Sequence, residues 1–293
     1  MKQLRTAVAE TSRFLHEAGW CANHDGNVSA RDGNRFIATP TATSKRLVAD
    51  KDVIEVDGKG AVVRPGAPSE SGRLHSGRGK VFGEIGLHLV VYERRPDVGA
   101  VVHAHPPYAT AIGASRQHPI ERPFIAEALV SLGPLIPKLP YAQPGDAARN
   151  ALARWCELVD AVILGNHGVI AWGKDCETAL LRLELVEHLA KIAHAAMAFG
   201  GIEPLPDSAI QPLLAARAKA GIGRAADRAL DTAQQLLGRA LPASSSSSAA
   251  PKAVVACAPA PHSEVPVVPP SGGKPHDLAQ LVREEIVRAL RNS

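Results

Sequence analysis

Two apolar runs that each contain histidine restrict the fold of this chain more than any other sequence feature. Residues 98–104 are rich in β-branched residues and predict a strand. Because alternate side chains of a strand share a face, His103 and His105 point the same way. A second apolar run, 161–171, is interrupted by Gly-Asn-His-Gly and carries His167. If the two strands are neighbours, the three imidazoles converge.

Three histidines leave one coordination position open, as in catalytic rather than structural zinc sites. The alternative is ordinary, because a histidine in a buried strand is more often a core residue with satisfied hydrogen bonds. The chain also holds 12 His, so chance pairs occur. We nevertheless predict a metal site, since all three histidines lie at the ends of strand-like runs.

Composition indicates a soluble globular protein that binds neither nucleic acid nor membrane. The 293 residues suffice for one large or two small domains, and a net charge of +4 without a dense basic run does not indicate nucleic acid. Aromatic residues are only 4%, which disfavours base-stacking surfaces. We expect no membrane span and no signal peptide. Four cysteines without C-x-x-C spacing predict reduced thiols and a cytoplasmic location.

The hydrophobic pattern predicts an α/β catalytic domain over residues 1–215. Helices are predicted at 2–18, 84–95, 107–116, 144–158 and 175–199. Strands are predicted in pairs within 24–40 and 53–64, in the two histidine runs and at 129–139.

After the predicted domain the composition changes. Residues 216–241 predict a helical extension, and the serine- and proline-rich stretch 242–275 predicts a disordered linker. The last segment, 276–293, predicts an amphipathic helix, with Leu278, Leu281 and Ile286 on its apolar face.

Several short segments occur in an order that is typical of one family. They are Asp-Gly-Asn-Val-Ser at 25–29, Ala-Thr-Pro-Thr at 38–41, Glu84 before His88, Arg-Pro-Asp-Val at 95–98, His-Ala-His-Pro at 103–106 and Gly-Asn-His-Gly at 165–168. Over residues 5–200 the chain resembles the class II aldolase/adducin family, and within it the zinc-dependent sugar-phosphate aldolases such as L-fuculose-phosphate aldolase.

The resemblance implies an α/β/α fold with a central, mostly antiparallel sheet flanked by helices. It implies one Zn²⁺ per subunit on three ligands: His103, His105 and His167. It also implies that Glu84 is the acid/base, that Asn27 and Thr41 bind the substrate phosphate, and that the enzyme is a homotetramer with sites between subunits.

The residue types suit that chemistry. Cleavage of a ketose 1-phosphate between C3 and C4 leaves negative charge that zinc stabilises as a Lewis acid. A nearby carboxylate moves the proton, and turns such as those around Asn27 and Thr41 offer N–H groups and hydroxyls to phosphate. For Glu84 the alternative is a solvated carboxylate at a helix start.

Two departures from the family pattern concern the phosphate. Family aldolases usually carry two serines directly before the glutamate, where this chain has Phe82 and Gly83. Ala42 stands where a glycine commonly follows the threonine. The resemblance therefore implies a phosphate group on the substrate less strongly than it implies a metal in the site.

The flexible linker and terminal helix resemble the encapsulation peptides that direct enzymes into bacterial microcompartments. The resemblance implies a location in a microcompartment lumen and shell or core proteins as partners of 276–293, by helix docking. The alternative is a helix that packs on this protein or on a neighbouring subunit.

Three functions are compatible with these patterns. The first is zinc-dependent retro-aldol cleavage of L-fuculose 1-phosphate or L-rhamnulose 1-phosphate to dihydroxyacetone phosphate and lactaldehyde. The second is a pentulose 5-phosphate 4-epimerase that uses the same zinc site. The third, a metal-free adducin-like binding module, is disfavoured because such modules lose the ligand histidines that this chain retains.

Overall fold

The computed structural model describes residues 2–66 and 79–221. These residues belong to the first of the two units into which the chain divides, Met1–Pro242 and Ala243–Ser293. The predicted linker 242–275 and amphipathic helix 276–293 lie outside the described residues, as does most of the predicted helical extension.

The described core is built around one eight-stranded sheet, with the order β4-β3-β2-β1-β5-β8-β7-β6. The strands are β1 Asn27–Asp32, β2 Arg35–Ala38, β3 Ile54–Val56, β4 Val62–Arg64, β5 Ala100–Ala104, β6 Lys138–Leu139, β7 Ala161–Leu164 and β8 Gly168–Gly173. Every neighbouring pair is antiparallel except β6 with β7. The predicted mostly antiparallel sheet is thus confirmed.

Helices cover both faces of this sheet. They are α1 Lys2–Glu17, α2 Ile85–Arg94, α3 Pro107–Ala114, α4 Ala126–Leu132, α5 Asp146–Ala153, α6 Cys176–Ala196 and α7 Asp207–Lys219. Residues of α1, α3, α4 and α6 share one buried apolar cluster, and those of α2 and α5 share another. No helix in this part of the chain has both the length and the apolar composition required to cross a membrane.

The alternation of β5 explains why both faces are covered and where His103 points. Val102 belongs to the apolar cluster beneath α1 and α6, whereas Val101 belongs to the cluster beneath α2 and α5. His103 shares the face of Val101. It therefore lies on the side of the sheet where α2 begins.

Two features differ from the sequence prediction. The strand predicted at 129–139 is wrong for its first half, because 126–132 forms α4 and only Lys138–Leu139 pairs as a strand. The helix α4 ends at Gly133, which has φ of 116°. His167 lies in the turn between β7 and β8 rather than on a strand.

The domain boundary predicted at residue 215 falls inside α7, so the folded unit extends at least to the end of that helix. The contact that holds α7 is buried. Arg217 pairs with Asp160, at the start of β7, and donates to the Val130 carbonyl at 2.7 Å.

Asp160 is a fully buried carboxylate surrounded by arginines. Arg95 and Arg182 approach it at 3.0 and 3.4 Å, and Arg217 completes the set. These arginines come from the loop before β5, from α6 and from α7. One carboxylate therefore links three distant parts of the chain to β7.

Replacing Asp160 with Asn should lower the free energy of unfolding by about 3–5 kcal/mol, because it removes the partner of buried charges. Denaturant unfolding of the purified protein measures this loss. Glu93→Gln is the control, since its pair with Arg149 is half-exposed, spans 3.9 Å and should contribute less than about 1 kcal/mol. Equal stability of the two variants would contradict the role given to Asp160.

Candidate metal and catalytic site

The structure brings the three predicted histidines together. Their nearest ligand atoms all lie within 4.8 Å of one another, and the Nε2 atoms of His103 and His105 are 3.2 Å apart. Two nitrogens bound at about 2.0–2.1 Å to a tetrahedral zinc lie about 3.3 Å apart. The spacing of the histidines therefore fits a metal of this kind.

The sheet order creates this convergence. His103 lies on β5, which pairs with β8 on one side and with β1 on the other. His105 comes just after β5, and its backbone N–H donates to the Trp20 carbonyl at 2.9 Å. His167 immediately precedes β8, so the turn that joins β7 to β8 carries it to the end of β5.

Gly168 allows the turn to approach β5 closely. A Cβ atom at Gly168 would lie 2.5 Å from the Ala104 carbonyl oxygen and 2.5 Å from the His105 ring. Neither distance is sterically possible, so a larger residue at this position would displace the strand or the histidine. The glycine of Gly-Asn-His-Gly is therefore required for the cluster itself.

Glu84 lies against the cluster from the side of α2. It is the residue before the first turn of that helix, and its Oε2 is 3.5 Å from His103 Nε2 while its Oε1 is 3.1 Å from His167 Nε2. The Asn27 amide donates to Oε2 at 2.8 Å. Asn27 is the residue opposite His103 in the β1–β5 ladder, so the same strand pairing places both contacts.

The protonation states suit metal binding. Burial lowers the pKa of His103, His105 and His167 below the ordinary value, which leaves neutral rings at pH 7. His103 Nδ1 donates to the Val169 carbonyl at 2.9 Å, so its Nε2 presents a lone pair. Neutral imidazoles with a free nitrogen are what a metal ion requires.

The pKa of Glu84 is lowered despite its burial. Burial alone would raise it, but the neighbouring His103 and His167 rings and the hydrogen bond from Asn27 outweigh that effect. Glu84 is therefore a carboxylate at neutral pH. A carboxylate this close to His103 and His167 can accept or return a proton at the reacting centre.

Asp25 is a neighbour of the cluster to which sequence reasoning gave no role. Its Oδ2 lies 3.6 Å from His105 Nδ1, which is near enough for electrostatic attraction to the ring but longer than a hydrogen bond. Asp25 belongs to the turn before β1, where Gly26 has φ of +74° and a Cβ would lie 2.3 Å from Cys21 Sγ. The only sequence signal for this contact was the Asp25-Gly26 pair, which is typical of a turn.

Of the two predicted phosphate residues, Asn27 lies on β1 and Thr41 lies in the loop after β2. Thr41 is half-buried and donates its N–H to the Lys80 carbonyl at 3.0 Å, and Pro40 bridges to Val81. These contacts place Thr41 beside the segment that leads to Glu84. The structure shows no direct contact of Thr41 with the histidines among the interactions of the described residues.

Phe82 cannot replace a serine hydroxyl in phosphate binding. Its ring is buried against His88, with the centroids 4.9 Å apart. His88 is itself a core residue that shares a 2.8 Å hydrogen bond with Ser29, and burial lowers its pKa to about 3. Lys45 is also buried, and it donates to the carbonyls of His24 and Thr43 at 2.9 and 3.0 Å.

A model for the Class II Aldolase and Adducin N-terminal domain matches residues 6–194 of the sequence. The chain belongs to this family. The match covers the histidine cluster, Glu84 and both loops, and it confirms the resemblance and the fold class drawn from the sequence. Together with the aldolases among its relatives, it makes the chain a metal-dependent lyase of the class II aldolase type.

The relatives differ in substrate. L-fuculose phosphate aldolase of Methanococcus maripaludis is 29% identical, over 61% of this chain and 89% of the relative. The 5-methylthioribulose-1-phosphate/5-deoxyribulose-1-phosphate aldolase of Rhodospirillum rubrum is 30% identical, over 72% and 89%. Among solved structures, YgbL of Escherichia coli, a putative aldolase/epimerase/decarboxylase, has a TM-score of 0.63 at 22% identity, covering 72% of this chain and 98% of YgbL.

Replacing Gly168 with Ala should weaken zinc binding on the order of tenfold to a hundredfold, as when groups that orient ligand histidines are disturbed. The added Cβ would push the His105 ring or the Ala104 backbone aside. Titration of the metal-free protein with zinc measures the affinity. Gly58→Ala is the control, because a Cβ there meets nothing within 4 Å. The same affinity in both variants would contradict the close approach.

Proposed function

We propose that this protein catalyses zinc-dependent retro-aldol cleavage of a 6-deoxyketose 1-phosphate to dihydroxyacetone phosphate and lactaldehyde. L-fuculose 1-phosphate and L-rhamnulose 1-phosphate are the candidate substrates. The observation that carries the proposal is Glu84, whose two carboxylate oxygens face two histidines of a three-histidine group.

His103, His105 and His167 would hold the metal. Zinc is favoured by three neutral imidazoles and an open position, although Co, Mn or Fe also accept such ligands. When bound, the ion would supply Lewis-acid stabilisation for the charge that develops on the substrate oxygens as the C3–C4 bond breaks.

Glu84 would act as the acid/base. As a carboxylate held by Asn27 it stays ionised and oriented, ready to take the proton from the C4 hydroxyl or to return one to C3. Asn27 would thus position Glu84. That role adds to the phosphate contact predicted from the family, because the amide already donates to Oε2.

The phosphate would lie between the β1 turn and the loop around Thr41. Two observations support this place: Asn27 and Thr41 flank the segment that leads to Glu84, and buried Lys45 joins the two loops. Phe82 and Gly83 remove the usual serine hydroxyls, so backbone N–H groups and Thr41 would carry more of the binding.

Separate variants test the proton-transfer group and the metal ligands. Glu84→Gln should lower kcat about 10²–10⁴-fold while zinc content stays unchanged, because only the proton-transfer group is lost. His167→Ala should lose both zinc and turnover. Glu93→Gln, an exposed change on the same helix, should keep both. Metal analysis and dihydroxyacetone phosphate release are measured on each preparation.

Full activity of a zinc-free His167→Ala protein would contradict the mechanism. Undiminished turnover by Glu84→Gln would assign the proton transfer to another group. The alternative 4-epimerase activity is distinguished by its product. Epimerisation conserves the carbon chain, whereas the proposed lyase releases a three-carbon phosphate.

Assembly and location are proposed from the sequence. The family resemblance supports a homotetramer with sites between subunits. Residues 276–293, preceded by the linker 242–275, have the pattern of an encapsulation peptide, which supports residence in a bacterial microcompartment that would retain the lactaldehyde.

Deleting residues 276–293 should leave kcat/KM within about twofold, because the described site contains none of them, while abolishing co-purification with shell or core proteins. Activity, size-exclusion behaviour and co-purification are compared with those of the full chain. If the truncated protein lost activity and tetramer together, the segment would be structural and the encapsulation proposal would be contradicted.

A further inference from the structure

The face of β1 that is turned toward α2 is polar. Val28 and Ala30 point to the opposite side of the sheet, into the apolar cluster of α1 and α6. The residues that alternate with them contact every fourth residue from Glu84 onward. These contacts are Asn27 with Glu84 at 2.8 Å, Ser29 with His88 and Tyr92 at 2.8 and 2.9 Å, and Arg31 with the Tyr92 carbonyl at 2.6 Å.

The geometry of a strand and a helix explains why these polar pairs stay opposite one another. Two residues of a strand advance by about 6.6 Å, and four residues of an α-helix advance by about 6 Å. A slide of α2 by one residue would turn its side chains by about 100° and break every pair. The pairs therefore fix both the position and the rotation of α2, and Glu84 belongs to the first of them.

His88 is at the centre of this row and also contacts the segment before the helix. It is fully buried, as is Ser29. Its ring packs on Phe82, with the centroids 4.9 Å apart. Only Gly83 separates Phe82 from Glu84, and a Cβ at Gly83 would meet nothing within 4 Å, so Gly83 itself contributes no packing there. His88 thus holds both the helix that follows Glu84 and the segment that leads to it.

Packing alone would not favour a histidine at this position. Nε2 of His88 is buried and has no hydrogen-bond partner in the part of the chain that the structure describes. A phenylalanine ring would avoid that unfavourable burial of a polar atom. What phenylalanine would lack is the hydrogen bond between Nδ1 and Ser29. That bond is therefore the contribution that the histidine makes beyond its size.

We propose that His88 is a positioning residue for Glu84. Bonded to Ser29 and packed on Phe82, it holds the start of α2 at the rotation in which Glu84 faces two of the three clustered histidines. The inference rests on the proposed aldolase function, because it concerns the group to which that function gives the proton transfer. His88 takes no part in the chemistry itself and acts through Glu84.

His88→Phe keeps a ring against Phe82 and removes the hydrogen bond to Ser29. It should lower kcat for cleavage of L-fuculose 1-phosphate or L-rhamnulose 1-phosphate about 10–100-fold, because a small displacement of a reacting group has effects of this size. KM should change less than about twofold, since substrate binding is not disturbed. Zinc affinity should equal that of the wild type, because the three ligand histidines keep their places.

Two further variants serve as a check and a control. Ser29→Ala removes the same hydrogen bond by a smaller change, and it should lower kcat in the same way if His88→Phe fails to fold. Val90→Ala is the control, because Val90 is buried on the same helix but is turned about 200° away from His88. Val90→Ala should lower the denaturant midpoint of unfolding while kcat stays within about twofold of the wild type.

A double-variant cycle separates positioning from a general structural role. If His88 acts through Glu84, His88→Phe should reduce the remaining activity of Glu84→Gln by less than about twofold. An effect on the fold that is independent of Glu84 would multiply with the loss in Glu84→Gln. The kcat of the two single variants and the double variant is measured on zinc-loaded protein.

The possible results separate this inference from the function on which it rests. Unchanged kcat in His88→Phe and Ser29→Ala, a loss no larger than that in Val90→Ala, or losses that multiply with that of Glu84→Gln would each overturn the positioning role. The proposed function would then still stand on the zinc-dependent activity of the wild type. No dihydroxyacetone phosphate release by the zinc-loaded wild type would overturn both.

Discussion

The position of β5 between β1 and β8 is the constraint on which the site depends. Pairing with β1 sets Asn27 opposite His103, and pairing with β8 brings the turn that carries His167 to the end of β5. Backbone hydrogen bonds of the sheet thus fix the positions of groups far apart in sequence. The start of α2 lies over the same face of the sheet and adds Glu84 to the three histidines.

Glu84 connects two of the clustered histidines to β1. Its two oxygens have different partners, with Asn27 and His103 on one side and His167 on the other. A small cavity lined by Leu87, Leu139 and Leu164 adjoins Glu84 and His167. This partly exposed carboxylate is held in place by the groups around it, which suits proton transfer at the reacting centre.

Local pattern was sufficient for the parts of the fold that depend on neighbouring residues. A run of β-branched apolar residues identified β5, period-two alternation identified the shared face of His103 and His105, and the ordered motifs identified the family. The pattern failed at 126–132, where a short apolar run suits a helix or a strand equally well. There the packing of α4 against α7 and the sheet decided the outcome.

Other features depend on distant contacts that no local pattern contains. The arginines around Asp160 come from positions 95, 182 and 217, so their meeting follows only from the completed fold. The apolar cavity likewise exists because α5 packs near the start of α2. The role of Gly168 was visible as a motif, but its reason, the approach to Ala104 and His105, required the strand pairing.

The central claim is that three histidines and Glu84 form a metal-dependent lyase site, and one measurement tests it most directly. Dihydroxyacetone phosphate release from L-fuculose 1-phosphate and L-rhamnulose 1-phosphate is followed with the zinc-loaded and the chelator-treated protein. The account predicts release that disappears with the chelator and returns when zinc is added back. Release that is indifferent to the chelator, or no release from either sugar by the zinc-loaded protein, would contradict it.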